Sequence, residues 1–134
     1  MCYRKALLTI AATVVVGCGG GDGDGGTPTS PGSPSNPTPV PTTTITITAA
    51  GVNPQVISVP VGSRVTFINN DSRSHEMHSD PHPNHGDCPP IDEVGFLTAG
   101  QTKLTGTFAA ARTCGFHDPN LPDVANLRGQ IVVQ

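Results

Sequence analysis

The chain has 134 residues and a formal charge of −3, with 7 Lys and Arg against 10 Asp and Glu. That length sets one folded domain as the starting expectation. The lack of any basic patch argues against nucleic-acid partners, because phosphate neutralisation needs clustered Lys and Arg.

Arg4 and Lys5 precede an apolar run over residues 6–16, too short to span a bilayer comfortably. The run ends at Val15-Val16-Gly17-Cys18. This resembles a bacterial lipobox, where a signal peptidase cuts before a cysteine whose thiol carries a diacylglycerol. The resemblance implies a lipoprotein signal peptide over residues 1–17, with Cys18 as the lipidated N-terminus. An ordinary signal peptide that contains Cys18 is the alternative. The implied location is the bacterial cell envelope, lipid-anchored. Gly19 after Cys18 leans toward the outer membrane if the cell is Gram-negative. Attachment of this kind comes from the buried CH₂ groups of acyl chains, not from a spanning helix.

Residues 18–41 hold much of the chain's Gly and Pro, first as a Gly/Asp-rich stretch, then as a Ser/Thr/Pro-rich one. The first composition is flexible and the second stiffer and partly polyproline II. Neither can build a core, so this segment reads as a disordered tether.

From residue 42 the pattern changes to period two. Ile45 and Ile47 alternate with Thr44, Thr46 and Thr48, as in a half-buried strand. Gly51-Val52-Asn53-Pro54 reads as a turn, Val56-Ile57-Ser58-Val59 as a second strand and Val65-Thr66-Phe67-Ile68-Asn69 as a third. Leu104, Gly106 and Phe108 alternate along a later strand, and residues 113–117 and 129–134 fit two more. No window sustains a helical period. Short strands separated by Gly/Pro turns imply an all-β sandwich or barrel over residues 42–134.

Two clusters of metal-binding side chains stand out. Four of the 5 histidines lie in His75-Glu76-Met77-His78-Ser79-Asp80-Pro81-His82-Pro83-Asn84-His85, and the fifth in Cys114-Gly115-Phe116-His117-Asp118. Imidazole, thioether, thiolate and carboxylate groups bind copper and zinc.

Residues 52–71, Val52-Asn53-Pro54 through Asn69-Asn70-Asp71, resemble the opening of the cupredoxin (plastocyanin-like) family, and Leu127-Arg128-Gly129-Gln130-Ile131-Val132-Val133 resembles its last strand. The resemblance covers residues 42–134 and implies a Greek-key β-sandwich that binds copper. His75 stands where the first copper histidine of such proteins falls. A blue site would use two His and one Cys with a weak axial Met. Carried over through Cys114-x-x-His117, its ligands would be His75, Cys114 and His117.

Two features oppose that carry-over. Leu127 occupies the place of the axial Met. The register counted from Phe108 puts Asp118, rather than Cys114, at the copper-cysteine position.

A closer likeness is to a His-rich, cupredoxin-like subgroup carrying His-x-x-x-Ser-Asp-Pro-His-Pro-x-His and Tyr-His-Asp-His-type motifs. His75 to His85 matches the first motif closely. Phe116-His117-Asp118-Pro119 matches the second loosely, with Pro119 in place of its second histidine. That likeness implies a non-blue metal site at His75, His82, His85 and His117. Such a mostly imidazole site suits copper(II), or less favourably zinc, because the implied fold favours copper.

Each of these histidines has a plainer role open to it, as a hydrogen-bonded strand or loop residue. His78 and Met77 are weaker ligand candidates. Glu76 reads as a solvated or supporting carboxylate.

Cys88 and Cys114 remain once Cys2 leaves with the signal peptide and Cys18 is acylated. An even count in an oxidising compartment favours a disulfide, with Cys114 as a copper thiolate the alternative. The leading reading is thus a membrane-tethered cupredoxin-like protein serving electron transfer or copper handling, with a redox or copper-donor protein as partner. The alternative is a metal-free binding or structural module held by the disulfide. No Ser-His-Asp arrangement, paired carboxylate motif or nucleotide loop points to an enzyme.

Overall fold

A computed structural model describes residues 36–134 of the chain. The expected signal peptide, Cys18 and residues 19–35 of the expected tether lie outside the described residues. Period-two patterning becomes strands with one buried face. In β2 (Thr44–Thr48), Ile45 and Ile47 are fully buried while the three threonines are half-buried. The same alternation places Ile57 and Val59 of β4 (Val56–Val59) inside. It does the same for Phe67 and Asn69 of β5 (Thr66–Asn69) and for Ile131 and Val133 of β10 (Arg128–Val133).

The other strands are β1 (Val40–Pro41), β3 (Gly51–Asn53), β6 (His75–Ser79), β7 (Gly95–Leu97), β8 (Thr102–Leu104) and β9 (Arg112–His117). One sheet has the order β1–β4–β10–β9–β6–β7 and the other β3–β2–β5–β8. Phe67 of the smaller sheet meets Phe116 of the larger edge to face, ring centroids 5.3 Å apart. That contact spans the two layers, and aromatic pairs favour this geometry.

Three local expectations change. Gly51-Val52-Asn53 pairs antiparallel with β2 as strand β3 instead of turning freely. The strand expected along Leu104, Gly106 and Phe108 ends at Leu104. Beyond it, the N–H groups of Thr105, Gly106 and Phe108 donate to the carbonyls of Val65, Pro90 and Ser63. Val65 and Ser63 lie in the stretch before β5, but the Gly106 bond between them goes to Pro90 of another segment, so the ladder is broken there. Pairing also begins just before residue 42, since Val40 and Pro41 lie beside Ile57 and Ser58. Helix α1 (Pro89–Asp92) and strand β7 are too short to have left a periodic signal.

The segment between β6 and α1 crosses β9. At one end the Asp80 N–H donates to the Gly115 carbonyl at 3.1 Å. At the other a disulfide joins Cys88 to Cys114, with Cα atoms 5.8 Å apart. Between them Arg112 pairs with Asp87 at 3.0 Å. The cross-link spans a sequence separation of 26 residues. In the chain-entropy model a loop of that size stabilises the fold by about 3–4 kcal/mol. Replacing both cysteines by serine should lower the unfolding free energy by that order in a denaturant titration. Mass spectrometry of the non-reduced wild type should show the cross-linked peptide pair.

Candidate metal centre

Side chains alternate across β9, and this decides where each candidate ligand points. Cys114 and Phe116 face the core and are fully buried. Gly115 and His117 face outward, under the crossing segment. His117 lies directly opposite His78 of β6, so those two share the outer face. The cover supplied by the segment leaves His117 with no exposure although it faces away from the core.

His82 and His85 ride on that segment. A ring nitrogen from each, together with one from His117, forms a set within 4.8 Å of one another. The rings of His85 and His117 stack at 5.0 Å, and His82 stands edge-on to both at 5.2 and 5.5 Å. Two of the three tautomers are fixed by their partners. The Nδ1–H of His117 donates to Asp80 Oδ1 at 2.7 Å. His85 Nδ1 meets the Ser79 carbonyl at 3.2 Å, and a carbonyl only accepts, so Nδ1 carries the hydrogen. Each ring is left with an Nε2 lone pair to offer a metal.

The Nε2 of His117 is buried and has no hydrogen-bond partner, alone among side-chain polar atoms of the described residues. Such an atom costs about 1–3 kcal/mol unless something ligates it. His85 adds a second unfavourable feature, a backbone φ of +45°, uncommon outside glycine. Gly115 permits the arrangement. A Cβ there would collide with the Asp80 carboxylate, which lies flat on the strand at that point. The donor set is three imidazoles with His82 open to solvent. This fits copper(II) or zinc(II).

His75 is not brought to the other three. It lies three residues before His78 on β6 and so faces the core, 1% exposed. Its Nδ1 meets Asp118 Oδ2 at 2.9 Å and its Nε2 meets Asp71 Oδ2 at 3.0 Å. A neutral imidazole has one N–H, so a ring flanked by two carboxylates needs a further proton in the group. The hydrogen bond from His75 holds the Asp71 carboxyl well below the usual carboxylate range, with Arg73 adding to the effect and burial opposing it.

The positions aligned with the first copper histidine and the copper cysteine are therefore hydrogen-bonded directly to each other. Leu127 is buried where the axial thioether was expected, and Met77 is buried in the core. The blue-site alternative is corrected on physical grounds: Cys114 is half of a disulfide and offers no thiolate.

His78 flanks the three-histidine group, its ring 4.8 Å from that of His85. Its nitrogens are engaged by Glu76 at 3.0 Å and Asp92 at 3.2 Å. Sequence reading missed Asp80 as the partner of His117 and Asp71 as a partner of His75. The parity of positions 75 and 78 on one strand was the available signal that they face opposite sides.

No model of a known protein family matches the chain, and no curated protein matches it. Solved structures do. A purple cupredoxin from Nitrosopumilus maritimus aligns with TM-score 0.54 and 20% identity, over 69% of this chain and 100% of that one. An oxidised methionine-to-leucine mutant of amicyanin aligns with TM-score 0.53 and 25% identity, over 68% and 80%. A mutant plastocyanin of fern gives TM-score 0.51 and 17% identity, over 68% and 99%. Other amicyanin structures among the matches are described as Cu(I) forms. The fold is that of the cupredoxins.

His75→Ala should destabilise the protein by about 3 kcal/mol or more, because it strands two buried carboxylates. It should leave metal stoichiometry unchanged. The Asp71 contribution follows from its lowered pKa: it is complete above about pH 5, where an unfolded aspartate is ionised, and is lost progressively as pH falls below that. Acid titration should therefore show a shallower loss of stability in Asp71→Asn than in the wild type.

Proposed function

We propose that this domain holds copper at His82, His85 and His117 and serves copper handling in the bacterial cell envelope. The observation that carries the reading is the buried, unpartnered Nε2 of His117 beside two further imidazoles. The fold shared with amicyanin and plastocyanin supports copper over zinc, as does the higher affinity of nitrogen sites for copper(II).

Each residue has a stated part. His117 is the rigid donor, fixed by Asp80. His85 is oriented by the Ser79 carbonyl. His82 closes the set from the solvent side and leaves that side accessible to a copper-donor or redox partner. Copper bound there supplies an exchangeable ion and a one-electron couple. An imidazole-only, solvent-accessible set favours handling of the ion. The shared fold is what supports electron transfer as the second use. The fold shared with amicyanin and plastocyanin supports the reading of a non-enzyme. Cys18 is the proposed lipid anchor, with residues 19–39 as tether up to β1.

The full chain carrying Cys18→Ser should leave the membrane fraction and, in calorimetric titration, bind one copper(II) per chain without the intense thiolate-to-copper absorption. Adding His117→Ala should weaken binding by more than the roughly 10–100-fold typical of losing an outer partner. Zinc should bind the same site more weakly. A chain that takes up no copper, or that binds it equally without His117, would reject the site and favour a metal-free module.

A further inference from the structure

We infer that Asp80 sets the oxidation-state preference of the three-histidine centre, favouring copper(II) over copper(I) through the Nδ1–H of His117. This rests on the copper reading above and concerns a residue outside the ligand set.

The donors themselves leave the preference open. Imidazole accepts either ion, while sulfur donors select copper(I). Among the described residues no sulfur reaches the centre: Met77 lies in the core, and Cys114 is tied to Cys88. What remains to bias the site is charge. Among the described residues, Asp80 is the one carboxylate bonded to any of the three rings, at 2.7 Å from His117 Nδ1. The other anchored ring, His85, meets a neutral carbonyl. Glu76 and Asp92 serve His78 instead.

A carboxylate behind an imidazole acts on the bound ion in two ways. It raises the basicity of the free nitrogen, and it attracts a double charge twice as strongly as a single one at the same distance. Both effects favour the divalent state.

The backbone fixes where this side chain starts. The Asp80 N–H donates to the Gly115 carbonyl, and the Asp80 carbonyl accepts from the Asp87 N–H, both at 3.1 Å. Its side chain lies over Gly115, the one residue type that leaves room for it. The side chain is 51% exposed, so solvent screens the charge and the bias is moderate.

The test uses the full chain carrying Cys18→Ser. Copper(II) affinity is measured by competition with a chromogenic chelator, and copper(I) affinity anaerobically with a copper(I)-specific one. Asp80→Asn, which keeps the size but removes the charge, should lose about tenfold or more in copper(II) affinity. It should keep copper(I) affinity within about threefold, less than half a decade of binding constant. A selective tenfold loss raises the one-electron potential of the bound ion by about 59 mV. Asp80→Glu should recover part of the difference.

Equal losses for both ions would mean that Asp80 only braces His117, and no loss for either would remove it from the centre. Both results overturn the inference. If Asp80→Asn fails to fold by circular dichroism, Gly115→Ala takes its place, since it displaces the carboxylate while Asp80 remains. The same two outcomes then decide. His117→Ala run alongside separates the claims: wild-type copper(II) affinity in that variant defeats the site itself, whatever Asp80 does.

Discussion

Strand β9 feeds two different environments from one run of residues, and the rest of the molecule follows from that alternation. Cys114 and Phe116 face the core, where Phe116 meets Phe67 across the sandwich and Cys114 holds the disulfide. Gly115 and His117 face the other way, toward the segment that crosses the sheet. A shift of register by one residue would exchange these roles at every position. The register is held by six consecutive pairings with β10, from Arg128 beside His117 to Val133 beside Arg112. It is also held by the burial of Ile131 and Val133 on the core side of that partner. The hydrophobic pattern of one strand thus decides that the candidate metal-binding imidazole of its neighbour faces outward.

The inner face has its own polar group, and it is complete without a metal. Asp71, His75 and Asp118 are each at most 5% exposed. Further bonds reach the carboxylates from Arg73 and from the backbone N–H of Asn120. Buried charge of this kind is tolerated only when it is paired and its remaining lone pairs are satisfied. Both ring nitrogens of His75 are occupied, so a cation could enter only by displacing a carboxylate. On the outer face the balance is reversed, because His117 has one nitrogen bonded and one bare. One histidine is saturated by protein and the other is not. Side-chain partners, more than sequence position, separate the structural role from the ligand role.

Much of the fold was legible because it rests on local alternation. Ile45 and Ile47, Ile57 and Val59, and the final Ile131 and Val133 sit inside as their period-two spacing required. The pairing of Cys88 with Cys114 was legible from their even count and the expected oxidising compartment. What escaped the sequence had no periodicity to show. Strands β3 and β7 have three residues each, and the run 105–108 is interrupted where Gly106 bonds to Pro90 instead of the stretch before β5.

The site was half legible. Residue type and motif put four histidines in one set; the fold brings His82, His85 and His117 together, while strand parity turns His75 to the other face. A motif written as a string merges the two faces of β6, and only the pleat tells them apart. In the sequence Asp80 stood out only as part of the Ser79-Asp80-Pro81 run of the His-rich motif. Its second role depends on Gly115, distant in the chain, leaving room for a carboxylate.

The crossing segment also shows how a small domain with 4 Phe and no Trp can hold a loop in place. Loops with few apolar contacts sit at the low-stability end of a fold. This one carries two of the three imidazoles, so its mobility would be charged directly against metal affinity. Three tethers oppose it, and all reach β9 or its first residue: the Asp80 to Gly115 hydrogen bond, the Asp87 to Arg112 ion pair and the Cys88 to Cys114 bond. The ion pair is exposed, so it contributes little. The disulfide is buried at both ends and holds even when the hydrogen bond opens. It fixes the far end of the segment to the strand that bears His117, three positions from that ligand. Covalent closure there lowers the entropy lost when the three rings converge on an ion, which is how preorganisation raises affinity without adding a contact. The same bond requires an oxidising compartment to form. The disulfide therefore ties the geometry of the metal centre to the environment in which the chain folds.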